Sequence, residues 1–164
     1  MPAAPLPDNE ADRLAALRAL LILDTPPEQR FDRIVEFAAS EFDVPIALLS
    51  LVDADRQWFK ARVGLDVCET PRGQAFCAYA LHADTPLVVA DARQDERFAD
   101  NPLVTGPPGI RFYAGVPLCV NEGLVLGTLC IIDTQPRALD ELDRQILGTL
   151  RDLILEELVP EADS

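Results

Sequence analysis

At 164 residues, 49% of them hydrophobic, the chain has the length and apolar content of one domain with a full core. Its 28 acidic residues against 14 basic ones leave a net charge of −14, and a nucleic-acid surface, which needs clustered Lys and Arg to displace counterions, is excluded. No apolar run approaches the ~20 residues of a membrane span, no basic amphipathic stretch suits an anionic membrane, and residues 1–8 lack the regions of a signal peptide, so a cytoplasmic protein is expected.

Residues 1–8 are rich in Pro and Ala and read as a disordered tail. Asp8 or Asn9 can cap a first helix in which Leu14, Leu17 and Leu21 fall three and four apart, and which stops before Pro26. Thr25-Pro-Pro-Glu28 then reads as a capping box with Pro in the first turn. The helix it opens carries Phe31, Ile34, Ala38 and Phe42 on one stripe and ends near Asp43-Val-Pro45. Ile46–Val52 is a nearly unbroken apolar run, the pattern of a strand covered on both faces. Ala54-Asp55 is short enough for a hairpin into a second strand, Gln57–Val63, which Gly64 ends.

A loop through Pro71-Arg-Gly73 leads to a short helix around Ala75–Leu81, and Pro86 opens a third strand, Leu87–Ala90. Asp91–Gly109 is mostly polar and interrupted by Pro. It is expected to be loop with one or two helical turns, and an irregular stretch this long in a compact domain is usually functional. Two long strands, Ile110–Val120 and Leu124–Asp133, join across Asn121-Glu-Gly123. Beyond Pro136, Leu139, Leu142, Ile146, Leu150 and Leu153 mark a long amphipathic helix. Leu147, Ile154, Leu155 and Leu158 widen its apolar surface beyond one sheet-covering stripe, which predicts a dimer interface there. Five strands, mostly in hairpins, with helices at both ends and one in the middle give an α+β sandwich.

Several residues carry chemistry worth weighing. Trp58 and Phe59 are strand neighbours and point to opposite faces, one toward the helices and one toward a pocket side; Arg56 and Gln57 alternate likewise. Arg111 and Tyr113 share a face at the start of a central strand. Arg111 offers a planar fork for a carboxylate, or else pairs with Asp91, Asp95 or Asp100 to hold the long loop down. Glu69 and Arg72 flank the start of the middle helix, where open amides attract an anion, or they neutralise each other. Phe98 is expected to pin the long loop to the sheet.

Of the four cysteines, Cys77 lies nearest the expected pocket. A helix lowers a thiol pKa mainly in its first turn, so an inert apolar role competes with a reactive one. Cys119 is expected to face Leu126 across the hairpin, too far from Cys130 to bridge. The four have no Cys-x-x-Cys spacing, so neither a zinc site nor any other cofactor is expected. His82, the one histidine, has no Ser or Asp motif beside it and supports no triad.

The blocks Ile46-Ala-Leu-Leu-Ser-Leu-Val-Asp53, Arg56-Gln-Trp-Phe-Lys-Ala61, Glu69-Thr-Pro-Arg72, Phe76-Cys-Ala78, Phe98-Ala-Asp-Asn-Pro102 and Gly109-Ile-Arg-Phe-Tyr-Ala-Gly-Val-Pro117 hold most of the chain's aromatics, interleaved with Arg, Asp and Gln. In this order they resemble a bacterial GAF domain, the sensory module that precedes histidine kinases and cyclic-di-GMP enzymes. The resemblance covers roughly Glu10 to Leu158, so a single domain over 9–158 is expected, with tails at 1–8 and 159–164.

The resemblance implies a central antiparallel sheet of five to six strands. Terminal helices would cover one face, and a short helix plus the long loop would enclose a pocket on the other. It implies a non-enzymatic module that binds a small molecule and signals through the first and last helices of a homodimer to an effector such as a histidine kinase or diguanylate cyclase. The aromatics gathered with an Arg suggest that this molecule is small and polar or anionic. Trp58, Phe59, Arg72, Phe76, Cys77, Asp91, Arg111 and Tyr113 are the candidate ligand contacts. Cyclic-nucleotide binding is disfavoured because the chain has no Asn-Lys, and a bilin because Cys77 is followed by Ala78 rather than His. Two alternatives stand beside this reading: a free methionine sulfoxide reductase using Cys77, and a ligand-free interaction module.

Overall fold

The structure is a computed structural model that describes residues 4–82, 85–121 and 123–158. Its centre is one antiparallel sheet of six strands: β1 (Ile46–Val52), β2 (Arg56–Val63), β3 (Glu69–Pro71), β4 (Leu87–Val89), β5 (Phe112–Val120) and β6 (Leu124–Asp133), in the order β3-β2-β1-β6-β5-β4. Four helices accompany it: α1 (Glu10–Ala19), α2 (Gln29–Glu41), α3 (Pro102–Thr105) and α4 (Glu141–Leu158). Short 3-10 segments lie at Arg72–Gln74, Phe76–His82 and Ala92–Gln94. No helix among the described residues is long and apolar enough to cross a membrane.

β1 shows how the sheet separates two cores. It is buried along its whole length, and strand alternation sends its side chains to opposite sides. Ala47, Leu49 and Leu51 meet Trp58 of β2, Leu129 and Ile131 of β6, and Phe31, Val35 and Ala38 of α2. Ile46, Leu48 and Val52 meet Phe59, Tyr113, Cys130 and Ile132 together with Phe76, Cys77 and Phe98 from the segments above. The first core lies under the helices. The second lies under a cap made of the 3-10 segments, α3 and the loops between them.

α2 and α4 run antiparallel. Arg30 at the start of α2 donates to the Glu157 carbonyl late in α4 (2.9 Å), and Arg137, just ahead of α4, donates to the Phe42 and Asp43 carbonyls (2.5 and 2.9 Å). α2 ends where Asp43 turns to a φ of 51°, the left-handed residue common at helix ends.

The expected capping box does not form. Glu28 is the N-cap in extended conformation and makes no cap bond. Thr25 Oγ1 instead donates to the Ile22 carbonyl (2.5 Å) and accepts from Lys60 Nζ (2.8 Å). Consecutive prolines keep the chain extended, since the residue before a proline avoids the helical region.

The apolar stripe of α4 also differs from the expected one. Leu147, Leu150, Ile154 and Leu158 are buried in the core, whereas Leu142 and Leu153 are 62% and 44% exposed. Leu147 and Ile154 are therefore core residues and not an interface. On the first helix Leu17 is buried, but Leu21 lies past the helix end and is 82% exposed. Of the tail expected at 1–8, residues 1–3 lie outside the described residues, as does the tail at 159–164. Ala4 packs against the second core, Pro7 is buried, and the Pro5 carbonyl lies 2.8 Å from His82 Nε2. β3, which sequence periodicity does not announce, pairs its three residues with Arg56–Trp58.

Candidate functional site

Between the sheet and the cap lies a cavity of about 70 Å³. Its floor comes from alternate residues of four strands: Ile46 and Leu48 of β1, Gln57 and Phe59 of β2, Tyr113 of β5, and Cys130 and Ile132 of β6. Phe76, Leu103 and Ile110 close it from above, and Leu65, Val67, Thr70 and Pro108 form its rim.

The cap is held by aromatic stacking. The Phe76 and Phe98 rings stack with centroids 4.1 Å apart, Tyr113 lies 5.2 Å from Phe76, and Tyr79 meets Phe98 edge-on at 5.2 Å. Such contacts add about 0.5–1.5 kcal/mol per pair beyond area burial. Phe98, fully buried, thus pins the long loop as expected. The Tyr113 ring folds over Gly115: a Cβ at that position would stand 2.5 Å from the Tyr113 hydroxyl, so only glycine leaves the ring its place. That hydroxyl lies 3.3 Å from Thr128 Oγ1.

Beneath the cap, Gln57 Nε2 donates to Thr70 Oγ1 (2.7 Å), and the Cys77 thiol donates to Gln57 Oε1 (2.8 Å). Cys77 and Cys130 are both buried. Burial, reinforced by the neighbouring Cys130 thiol, pushes the Cys77 thiol far above its ordinary range. Burial likewise raises Cys130 to about 12, against a contact with Thr128 that favours the thiolate. Tyr113 is raised as well, chiefly by burial. All three groups are neutral near pH 7.

Of the eight candidate contacts, Phe59, Phe76 and Tyr113 line the cavity. Trp58 is on the opposite face, in the helix-side core, where it lines an open surface cleft of about 480 Å³ with Asp24, Asp32, Glu36 and Lys60. Cys77 sits behind Gln57 rather than in the wall. Asp91 caps the Ala92–Gln94 turn by accepting from the Arg93 amide (3.1 Å) and pairs with the Arg93 guanidinium (2.8 Å). Arg111 meets no carboxylate of the described residues at bonding distance. It donates to the Val104 and Ile110 carbonyls (2.9 and 3.1 Å), so it does hold the long loop down, but through backbone.

Arg72 and Glu69 do not neutralise each other. Glu69 pairs with Arg56 (2.7 Å), which also forks onto Asp24 (2.8 Å to each oxygen). Arg72 donates to both oxygens of Glu10 (2.6 and 3.1 Å) and to the Asp53 carbonyl (3.0 Å). The same Glu10 carboxylate accepts from Arg13 (3.0 and 3.1 Å), whose fully buried guanidinium also reaches the Val52 carbonyl (2.7 Å). Burial would raise the Glu10 carboxyl, but the hydrogen bonds and charges of Arg72 and Arg13 outweigh it and hold it at about 2. This clasp joins α1 to the base of the cap. Sequence reading passed over Glu10 and Arg13, which carry no signal beyond a helical Glu-x-x-Arg spacing.

The four cysteines form no disulfide, in line with the expectation, although the register is one residue off the expected one: Cys119 opposes Val125 because the ladder is irregular between Pro117 and Cys119. No group of three or more His, Cys, Asp or Glu able to hold a metal is found among the described residues.

A family model described as GAF domain matches residues 26–157. A cyclic di-GMP phosphodiesterase of Pseudomonas aeruginosa is 45% identical over 159 residues, which is 96% of this chain but 27% of that protein. Solved structures with the same fold include the GAF domain of a Coxiella burnetii phosphoenolpyruvate-protein phosphotransferase, with TM-score 0.66 and 18% identity over 95% of this chain and 98% of that one. Another is a free methionine-R-sulfoxide reductase of Neisseria meningitidis in complex with its substrate, with TM-score 0.61 and 20% identity over 96% of both chains. At these identities the structural likeness concerns the fold alone.

Proposed function

The chain belongs to the GAF domain family, and from that premise we propose that it is a non-enzymatic sensory module. It takes a small molecule between sheet and cap and passes the change to its helices within a dimer. The observation that carries this reading is the Glu10 clasp: Arg72 directly precedes the segment that supplies Phe76 to the cavity, and Glu10 ties it to α1. Any ligand that lifts or settles the cap acts on the first helix through two charge-assisted bonds. The Pseudomonas relative supports an effector that handles cyclic di-GMP, with the present chain corresponding to an accessory quarter of such a protein.

Chemistry of the thiols argues against a reductase. A thiolate is the attacking species in thiol chemistry, and the two cysteines near the cavity are buried and held protonated. Thiol-dependent turnover of free methionine sulfoxide is expected from neither the wild type nor Cys77→Ser. Turnover that disappears with Cys77→Ser would replace the sensor reading with the enzymatic one.

The dimer surface we assign to the outward side of the helix layer, where Phe37, Leu142 and Leu153 are exposed. Light scattering at micromolar concentration tests it. Leu142→Glu with Leu153→Glu should yield a monomer of unchanged melting temperature; a dimer that persists would remove this route.

A further inference from the structure

We propose that the cavity takes an uncharged, largely apolar molecule of about five to seven non-hydrogen atoms, not the polar or anionic ligand that composition suggested. The proposal rests on the reading of the domain as a ligand-binding sensor and names the class of ligand.

Three observations converge on it. First, most of the wall is hydrocarbon: Ile46, Leu48, Phe59, Phe76, Ile110 and Ile132. Second, the polar groups in that wall already have partners within the protein. The Gln57 amide uses Nε2 on Thr70 and Oε1 on the Cys77 thiol, and the Tyr113 hydroxyl faces Thr128. Tyr113 and Cys130 are also kept neutral by burial, so neither supplies charge. Third, no charged side chain among the described residues lines the cavity, and both nearby guanidinium groups are engaged elsewhere, Arg72 on Glu10 and the Asp53 carbonyl, Arg111 on the carbonyls of Val104 and Ile110.

An anion placed here would surrender its hydration with no cation to receive it, and a polar molecule would find only the second donor and acceptor positions of Gln57 and the hydroxyl proton of Thr70. A hydrocarbon gives up no hydrogen bond on entry, a ketone gives up only those of one carbonyl, and both gain contact with the wall. Size follows from volume. One water requires about 10–15 Å³ on this measure, so about 70 Å³ accommodates some five to seven atoms of similar radius.

The test uses the full chain, with methyl-resolved NMR to localise binding and thermal denaturation to measure its effect. Benzene and methyl isobutyl ketone are the uncharged probes, with about six and seven non-hydrogen atoms; isovalerate is an anion of about the same size as the ketone. Saturable shifts at the methyls of Ile46, Leu48 and Ile132, with a raised melting temperature, are expected for the uncharged pair and not for isovalerate. Saturable shifts of those methyls by isovalerate would overturn the ligand class and leave the sensor reading standing. If no probe of either kind reaches them up to its solubility limit, both the class and the ligand-binding reading fall.

Discussion

Replacing Glu10 by Gln should remove about 2–3 kcal/mol of stability at pH 7, and the loss should itself depend on pH. The carboxyl is held at about 2 in the folded chain against 4.5 ordinarily. At 1.36 kcal/mol per pH unit this difference corresponds to about 3 kcal/mol, and partial solvent access reduces the figure toward 2. Removing one member of a buried pair costs about 3–5 kcal/mol where both ions are dry. Here Arg13 is fully buried but Glu10 and Arg72 keep some exposure, so the lower range applies. The folded pKa is depressed, so the contribution is complete above about 4.5 and fades as pH falls toward 2. Urea denaturation of the wild type and Glu10→Gln at pH 7, 4 and 3 supplies the assay, and the difference between the two proteins isolates this group from the other carboxylates. The difference should shrink steadily below pH 4.5. A difference that stays constant down to pH 3 would show that the depressed carboxyl does not carry the effect, and one under about 0.5 kcal/mol at pH 7 that the clasp stabilises little.

Lys60 has a fully buried side chain whose Nζ meets Glu28 (2.6 Å), Thr25 Oγ1 (2.8 Å) and the Pro26 carbonyl (2.6 Å). Lys60→Met keeps the apolar stem but strands those acceptors, and should cost about 1–3 kcal/mol with faster hydrogen exchange at the start of α2; wild-type stability would contradict this account. Gly115→Ala drives a methyl into the Tyr113 hydroxyl and should cost about 1–3 kcal/mol, with displaced Tyr113 ring resonances in NMR spectra. A neutral effect would mean the ring has room to move. An aromatic disulfide reagent should label exposed Cys68 at once but reach Cys77 and Cys130 only as the domain opens, so rapid labelling of Cys77 in the native protein would refute its burial.

Local pattern sufficed wherever one face of an element decides its fate. The apolar run Ile46–Val52 and the segment Leu124–Asp133 are strands with the expected bounds, and the long loop, expected to hold one or two helical turns, has short helical segments at Ala92–Gln94 and Pro102–Thr105. It failed where two answers satisfy the same period. In α4 the sets containing Leu142 and Leu147 both recur at helical spacing, and only the sheet decides which is buried. Trp58 and Phe59 had to diverge, but the side each takes depends on pairing with β1.

The ionic partners were the least legible. Glu69 and Arg72 look like a pair because they are close in sequence, yet each is claimed by a residue from afar, Arg72 by Glu10 across 62 positions and Glu69 by Arg56. Likewise the Thr25 hydroxyl, assigned to helix α2 by its local motif, answers a lysine 35 positions away. The aromatic blocks brought Phe76, Tyr113 and one of Trp58 and Phe59 to a common side, and Phe59 is the one that lies at the cavity with the other two. Composition also could not reveal that Arg72 is engaged by Glu10 and Arg111 by the Val104 and Ile110 carbonyls.

The two cores share the strands of the sheet but are covered by different elements, so the cap could in principle loosen while the helix side stays closed. α1 opposes that. Leu17 is sunk in the helix-side core, and one helical turn earlier Arg13 and Glu10 grip the end of β1 and the base of the cap. The cap therefore cannot open without pulling on a helix rooted in the other layer. Both halves form one cooperative unit, so cap amides in the native protein should exchange through global unfolding and not through independent opening of a lid. Cutting that single carboxylate would divide the molecule thermodynamically, leaving a stable helix-covered sheet beneath a cap that breathes on its own.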